Sequence, residues 1–169
     1  SEVRYNSKLF TELIARLQAA YGINTLVTPE GKITSIWMTS FLAFMLDLIG
    51  AEYVTASHAI ATTTATKDIN NEGGQYLPNE SKKFLDEIKS IFAVIDREGS
   101  YEIKVASRYS PYIQKGALGR IDNGIKLYVP YLKNGVATEI NLDLIRNVKK
   151  PIIIDCVGGC MYAIMDKIF

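Results

Sequence analysis

ALGRIDNGIKLYVPYLKNGVATEIN, residues 117–141, contains two tight-turn signals, Asp122-Asn123-Gly124 and Lys133-Asn134-Gly135, each set between β-favouring runs. Asn-Gly supplies the two positive φ angles that a two-residue hairpin turn needs. The stretch therefore predicts a three-stranded antiparallel meander over about residues 117–141. In its middle strand, alternation puts Ile125, Leu127, Val129 and Tyr131 on one side and Lys126 and Tyr128 on the other.

Working outward, Leu9, Leu13, Leu17 and Tyr21 recur every four residues and are followed by Gly22, the pattern of an amphipathic helix. Ile23–Thr28 and Ile33–Met38 flank Thr28-Pro29-Glu30-Gly31 and read as a hairpin that feeds an apolar helix, Thr39–Ile49, stopped by Gly50. Residues 51–69 have no helical period and read as extended structure or an ordered loop. Asn70-Asn71-Glu72-Gly73-Gly74 is the candidate mobile loop, and residues 70–78 the candidate lobe boundary. Pro78 and Asn79 open a helix with one apolar face. Phe92–Asp96 and Tyr101–Ser107 then read as strands about Arg97-Glu98-Gly99-Ser100. The chain closes with an apolar strand, Pro151–Asp155, two glycines and a short helix from Cys160 to Ile168. The fold class is a single α+β domain over residues 1–169, with N-terminal helices and a hairpin packed on an antiparallel sheet.

Composition bounds the function. The 169 residues are 48% hydrophobic, enough for one core, and the net charge of +1 argues against a domain that holds duplex DNA by bulk attraction. Charge is uneven along the chain: residues 1–96 hold eight Lys/Arg and eleven Asp/Glu, and residues 97–169 hold eleven and seven. A basic C-terminal half suits a polyanion. Between Tyr101 and Lys133 five tyrosines interleave with six basic residues and only two acids. An open sheet face of this kind binds single strands by base stacking and phosphate contacts.

The leading expectation is thus a nucleic-acid-binding protein for RNA or single-stranded DNA, a non-catalytic subunit of a prokaryotic or viral nucleoprotein complex. Lys104, Arg108, Tyr109, Tyr112, Lys115, Arg120, Lys126 and Tyr128 would carry the interface. No cofactor is expected in that role, and protein partners or a homo-oligomer would complete the assembly. A structural or assembly subunit of a homo-oligomer is a further alternative, with the apolar helix and exposed tyrosines as contacts. The 21 isoleucines against three glutamines favour an archaeal or viral source. No leader pattern is read, and the longest apolar stretch, residues 36–50, is about 15 residues, shorter than the roughly 20 a bilayer requires. A cytoplasmic protein without a membrane partner is expected.

Two short motifs suggest chemistry. Asp96, followed across a turn by Glu102-Ile103-Lys104, resembles the core of restriction-endonuclease-like nucleases. That resemblance implies Mg²⁺ held by Asp96 and Glu102, a hydroxide steadied by Lys104, and Gln114 as helper. The same region, residues 91–101, is similar to the signature helix of LAGLIDADG homing endonucleases, which implies metal binding by Glu98. The two resemblances demand opposite secondary structure for residues 92–96. Elsewhere, Cys156 before Val157-Gly158-Gly159-Cys160 is a candidate thiolate at a helix start, with His58, the single histidine, as its base. Two cysteines and one histidine leave a zinc shell incomplete.

Overall fold

A computed structural model describes residues 4–28, 33–115, 120–136, 139–157 and 159–168. The elements in chain order are α1 (Ser7–Ala20), β1 (Thr25–Val27), α2 (Ile36–Met45), β2 (Gly50–Val54), β3 (Thr66–Asn70), α3 (Pro78–Glu98), β4 (Ile113–Lys115), α4 (Arg120–Tyr131), α5 (Leu142–Arg146) and α6 (Tyr162–Ile168). Helices and small sheets together make a mixed α+β fold.

The centre is α2. Ser35 caps it by accepting the Met38 N–H at 3.2 Å. It is apolar on nearly every side, as a helix must be when neighbours cover more than one face. Met38, Phe41 and Leu42 form one core with Tyr128 of α4 and Ile164 of α6. Ala43 joins Tyr53 of β2 and Ile69 of β3 in a second. Tyr53 also donates its phenol O–H to the Thr34 carbonyl at 2.7 Å, which fixes β2 to the entry of α2.

The strands form two pairs. β2 and β3 are antiparallel, with Glu52 opposite Asp68, and β1 and β4 are parallel, with Leu26 opposite Gln114. The expected extended character of residues 51–69 is present at both ends of that segment. The expected hairpin of Ile23–Thr28 with Ile33–Met38 is not formed: its turn lies outside the described residues, residues 36–38 belong to α2, and β1 finds its partner in the distant β4.

The meander over residues 117–141 is corrected as well. Residues 120–131 are helical and a π-helical turn, Leu132–Val136, continues them. Ile125, Tyr128 and Leu132 are spaced for one helical face and meet α2 there, and that burial outweighs the turn preference of Asn-Gly. Pro130 lacks an N–H and crowds the carbonyl four residues back, the kind of interruption that the adjoining wide turn accommodates.

The strand pair at 92–96 and 101–107 is likewise replaced. α3 runs on to Glu98 and ends where Gly99, at φ 73°, donates its N–H to Ile95. Glu98-Gly99 is a helix C-cap, and glycine suits both roles because each needs a left-handed residue. Residues 101–107 form no strand among the described residues and are tied to α1 by a pair of bonds between Arg16 and Ala106. Residues 151–156 have no strand assignment, and the final helix starts at Tyr162.

The Asn70–Gly74 segment forms a hydrogen-bonded turn. Asn70 Oδ1 accepts the N–H groups of Glu72 and Gly74, and its own N–H reaches the Gly74 carbonyl. Gly73, at φ 79°, lies so close to α2 that a Cβ would stand 2.6 Å from the Ser40 carbonyl oxygen. Gly73→Ala should therefore cost about 1–3 kcal/mol or more in urea unfolding. Gly99→Ala, at a similar φ with open space around it, should cost only about 1 kcal/mol.

Candidate functional site

β2 carries the chain from the second core to the surface. Tyr53, Val54 and Thr55 are buried, Ala56 is part-buried, and Ser57 to Ile60 are exposed. Ser57 has φ 52°, a left-handed conformation that serine adopts rarely and at a cost. Two devices hold it there. The Thr55 hydroxyl oxygen accepts the Ser57 N–H at 3.0 Å, and Ala59 N–H closes a turn onto the Ala56 carbonyl at 2.9 Å. From the N-terminus, Arg4 reaches over: Nη2 donates to the carbonyls of Ser57 at 3.0 Å and Ala59 at 2.8 Å, and Nη1 to that of Ile60 at 2.7 Å. His58 follows Ser57 directly.

A hydroxyl on a strained turn at the exposed end of a buried strand has the setting that suits a nucleophile: rigid support behind and open access in front. Asp47 and Val157 are the other described non-glycine residues with positive φ. Asp47 sits in the turn closing α2, where its N–H donates to Phe44. Val157 follows the extended 151–156 segment.

Beside β2 lies a groove of about 730 Å³ whose wall includes Gln18, Thr25, Leu42, Glu52, Tyr53 and Ile69. It ends at Val54 and does not take in Ser57. Among the described residues that line it, Asp47, Glu52 and Asp68 carry the charge. Gln18 spans it, donating to Glu52 Oε1 at 2.8 Å while its own carbonyl oxygen accepts from Thr25 at 3.0 Å.

The groove thus lies against α1, α2, β1, β2 and β3. Burial raises the pKa of Glu52, against the Gln18 hydrogen bond and with the help of the Asp68 charge. A carboxyl with a folded pKa above its unfolded one favours the folded state only while protonated, so its contribution is full below the ordinary carboxylate range and is lost as pH rises.

The chain matches the sequence model described as "Phosphoglucomutase/phosphomannomutase, alpha/beta/alpha domain I" over residues 2–94. The chain belongs to the phosphoglucomutase/phosphomannomutase family. No curated protein and no solved structure matches it. The family match contains Arg4, Glu52, Ser57 and His58. It overturns the expectation of a nucleic-acid-binding protein, with its nucleic-acid partner, together with the nuclease and assembly-subunit alternatives, because the family is named for enzymes acting on small sugar phosphates.

The residues expected at a nucleic-acid interface are dispersed over different kinds of structure. Lys104 is exposed on the extended segment after α3. Arg108 pairs with Glu12 of α1 at 2.8 Å. Tyr109 and Tyr112 are exposed before β4. Lys115 ends β4 and Arg120 begins α4. Lys126 is exposed on α4, whereas Tyr128 is only 5% exposed, and its ring lies 5.3 Å from that of Phe41. That burial pushes its phenol pKa up. Tyr128 is a core residue.

For the nuclease motif, Asp96 is on α3, Glu102 and Lys104 are on the extended segment, and Gln114 is in β4. The helix over residues 91–98 agrees in shape with the homing-endonuclease signature, yet the family lies elsewhere. Among the described residues, no three His, Cys, Asp or Glu come together to hold a metal ion, Mg²⁺ included. Cys156 and Cys160 are free and part-buried, and α6 begins too late for Cys156 to sit in its first turn. No described helix is long and apolar enough to cross a membrane.

In the sequence His58 stands out only as a base for Cys156, and Ser57 not at all. The available signal was Thr55-Ala56-Ser57-His58 directly after a β-favouring run.

Two outcomes follow. Glu52→Gln should be more stable than wild type at about pH 7, with the difference vanishing near pH 4, as read by urea denaturation at both values. Ser57→Gly should raise unfolding stability by about 1 kcal/mol in the same assay, since glycine relieves the left-handed strain.

Proposed function

We propose that this chain carries the phosphoryl-accepting loop of a hexose-phosphate mutase, and that Ser57 is the residue that takes the phosphoryl group. The single observation that supports this most strongly is the strained, exposed Ser57 at the end of β2, inside the region that matches the family. Phosphoryl transfer asks a protein chiefly to position an oxygen in line with the phosphorus and to handle protons and charge. In this reading Ser57 Oγ forms a bond to phosphorus as the ester O–P bond breaks. The serine proton passes to His58, and the departing sugar oxygen takes a proton from solvent water. Transfer then runs in reverse onto a different hydroxyl of the same sugar, which leaves Ser57 free again.

Mg²⁺, which the family ordinarily uses, finds no ligand set among the described residues.

The test is to incubate the protein with glucose 1-phosphate or mannose 1-phosphate labelled in phosphorus, digest it, and map the label by mass spectrometry. Label is expected on Ser57 alone. Ser57→Ala should remove it and lower mutase turnover by about 10³-fold or more. Label on another residue, or unchanged turnover in Ser57→Ala, would remove serine as the carrier.

A further inference from the structure

We infer that Arg4 is a positioning residue for the Ser57 loop, acting through the backbone and not on the substrate. This inference rests on the reading of Ser57 as the phosphoryl acceptor. One guanidinium donates to three carbonyls within four residues, those of Ser57, Ala59 and Ile60, at 2.7–3.0 Å. These contacts cross more than fifty positions of sequence, so they are tertiary ties and not part of a local turn.

Their pattern is specific to arginine. A planar fork reaches several acceptors in a fixed geometry, whereas a lysine ammonium presents one point of charge on a flexible stem. The carbonyls it gathers belong to the loop whose left-handed residue is Ser57, and that conformation persists only where surrounding structure over-determines it. On one side the loop is fixed by β2 and Thr55; on the other Arg4 supplies the tie. Without it, the peptide after Ser57 is free to relax toward an ordinary φ, and the serine oxygen moves with it. A misplacement of about 1 Å is enough to slow a positioned reaction by about 10²-fold.

The experiment compares the rate of phosphoryl transfer to Ser57 from labelled glucose 1-phosphate or mannose 1-phosphate in wild type, Arg4→Lys and Arg4→Ala, each in the full chain. Circular dichroism and urea unfolding run alongside. Arg4→Ala is expected to slow labelling and kcat by about 10²-fold with KM little changed, and Arg4→Lys to fall between. Added methylguanidinium should restore part of the Arg4→Ala rate and leave wild type unaffected, a response that a general loss of structure would not give. Hydrogen exchange should rise over residues 57–63 and stay unchanged in α2.

Labelling of Arg4→Lys and Arg4→Ala at the wild-type rate would overturn the role of Arg4 while leaving Ser57 as acceptor. Absence of label in wild type would overturn the Ser57 reading and this one with it. If Arg4→Ala does not fold, Arg4→Lys decides: wild-type kcat and wild-type exchange in that variant would overturn the inference.

Discussion

Everything in this fold depends on the burial of α2. This ten-residue helix is apolar on nearly all sides; the two cores cover Met38, Phe41, Leu42 and Ala43, while Trp37, Phe44 and Met45 stay exposed. One is helical, from α4 and α6; the other is the β2–β3 pair. The Ser35 cap sets where α2 begins, and the Tyr53–Thr34 bond sets where β2 lies beside it. From that point the path of the chain to Ser57 is short and stiff.

That stiffness is what a strained serine requires. A left-handed residue costs on the order of 1–3 kcal/mol, and in a loose loop the backbone would simply relax. Here Thr55 is already buried at the end of the strand, its hydroxyl holds the Ser57 N–H, and Arg4 holds the carbonyls beyond. The buried Thr55 and the exposed Ser57 are thus close neighbours in sequence, with only Ala56 between them. The acidic groove next to β2 shows the complementary point. Cavity size alone does not mark a site, since a phosphate is recognised by donors and positive charge, and this groove offers carboxylates.

What was legible in the sequence was whatever depended on local pattern. The four-residue recurrence from Leu9 to Tyr21 gave α1, and Pro78 with its following apolar face gave the start of α3, correct because helical spacing and helix starts are short-range signals. The failures came where one short signal has two meanings. Glycine after Glu98 closes a helix as readily as a hairpin. Asn123-Gly124 inside α4 lost to the contacts that Ile125, Tyr128 and Leu132 make with α2, contacts that no window of sequence contains. The same misreading turned Tyr128 from a core ring into a supposed stacking platform. The strain on Ser57 was invisible for a different reason: φ follows from how Arg4 and Thr55 hold the loop, and a guanidinium more than fifty residues away leaves no local trace.

The limit of the family match at residue 94 is not a limit of the packing. Tyr128 and Ile164 lie beyond it, yet they complete the core around Met38, Phe41 and Leu42, which lie within it. β1, inside the match, pairs with β4, outside it, and Arg108 and Ala106 fasten the intervening segment to α1. Residues after 94 therefore bear on the site indirectly: they cover the far side of α2, and α2 fixes β2, which presents Ser57. A change in α4 or α6 that loosens this contact acts on the loop through the shared helix, although neither element touches it in the contacts described here. Tyr128 and Arg108 of that region serve the scaffold, the one in the core around α2 and the other in the ion pair with Glu12.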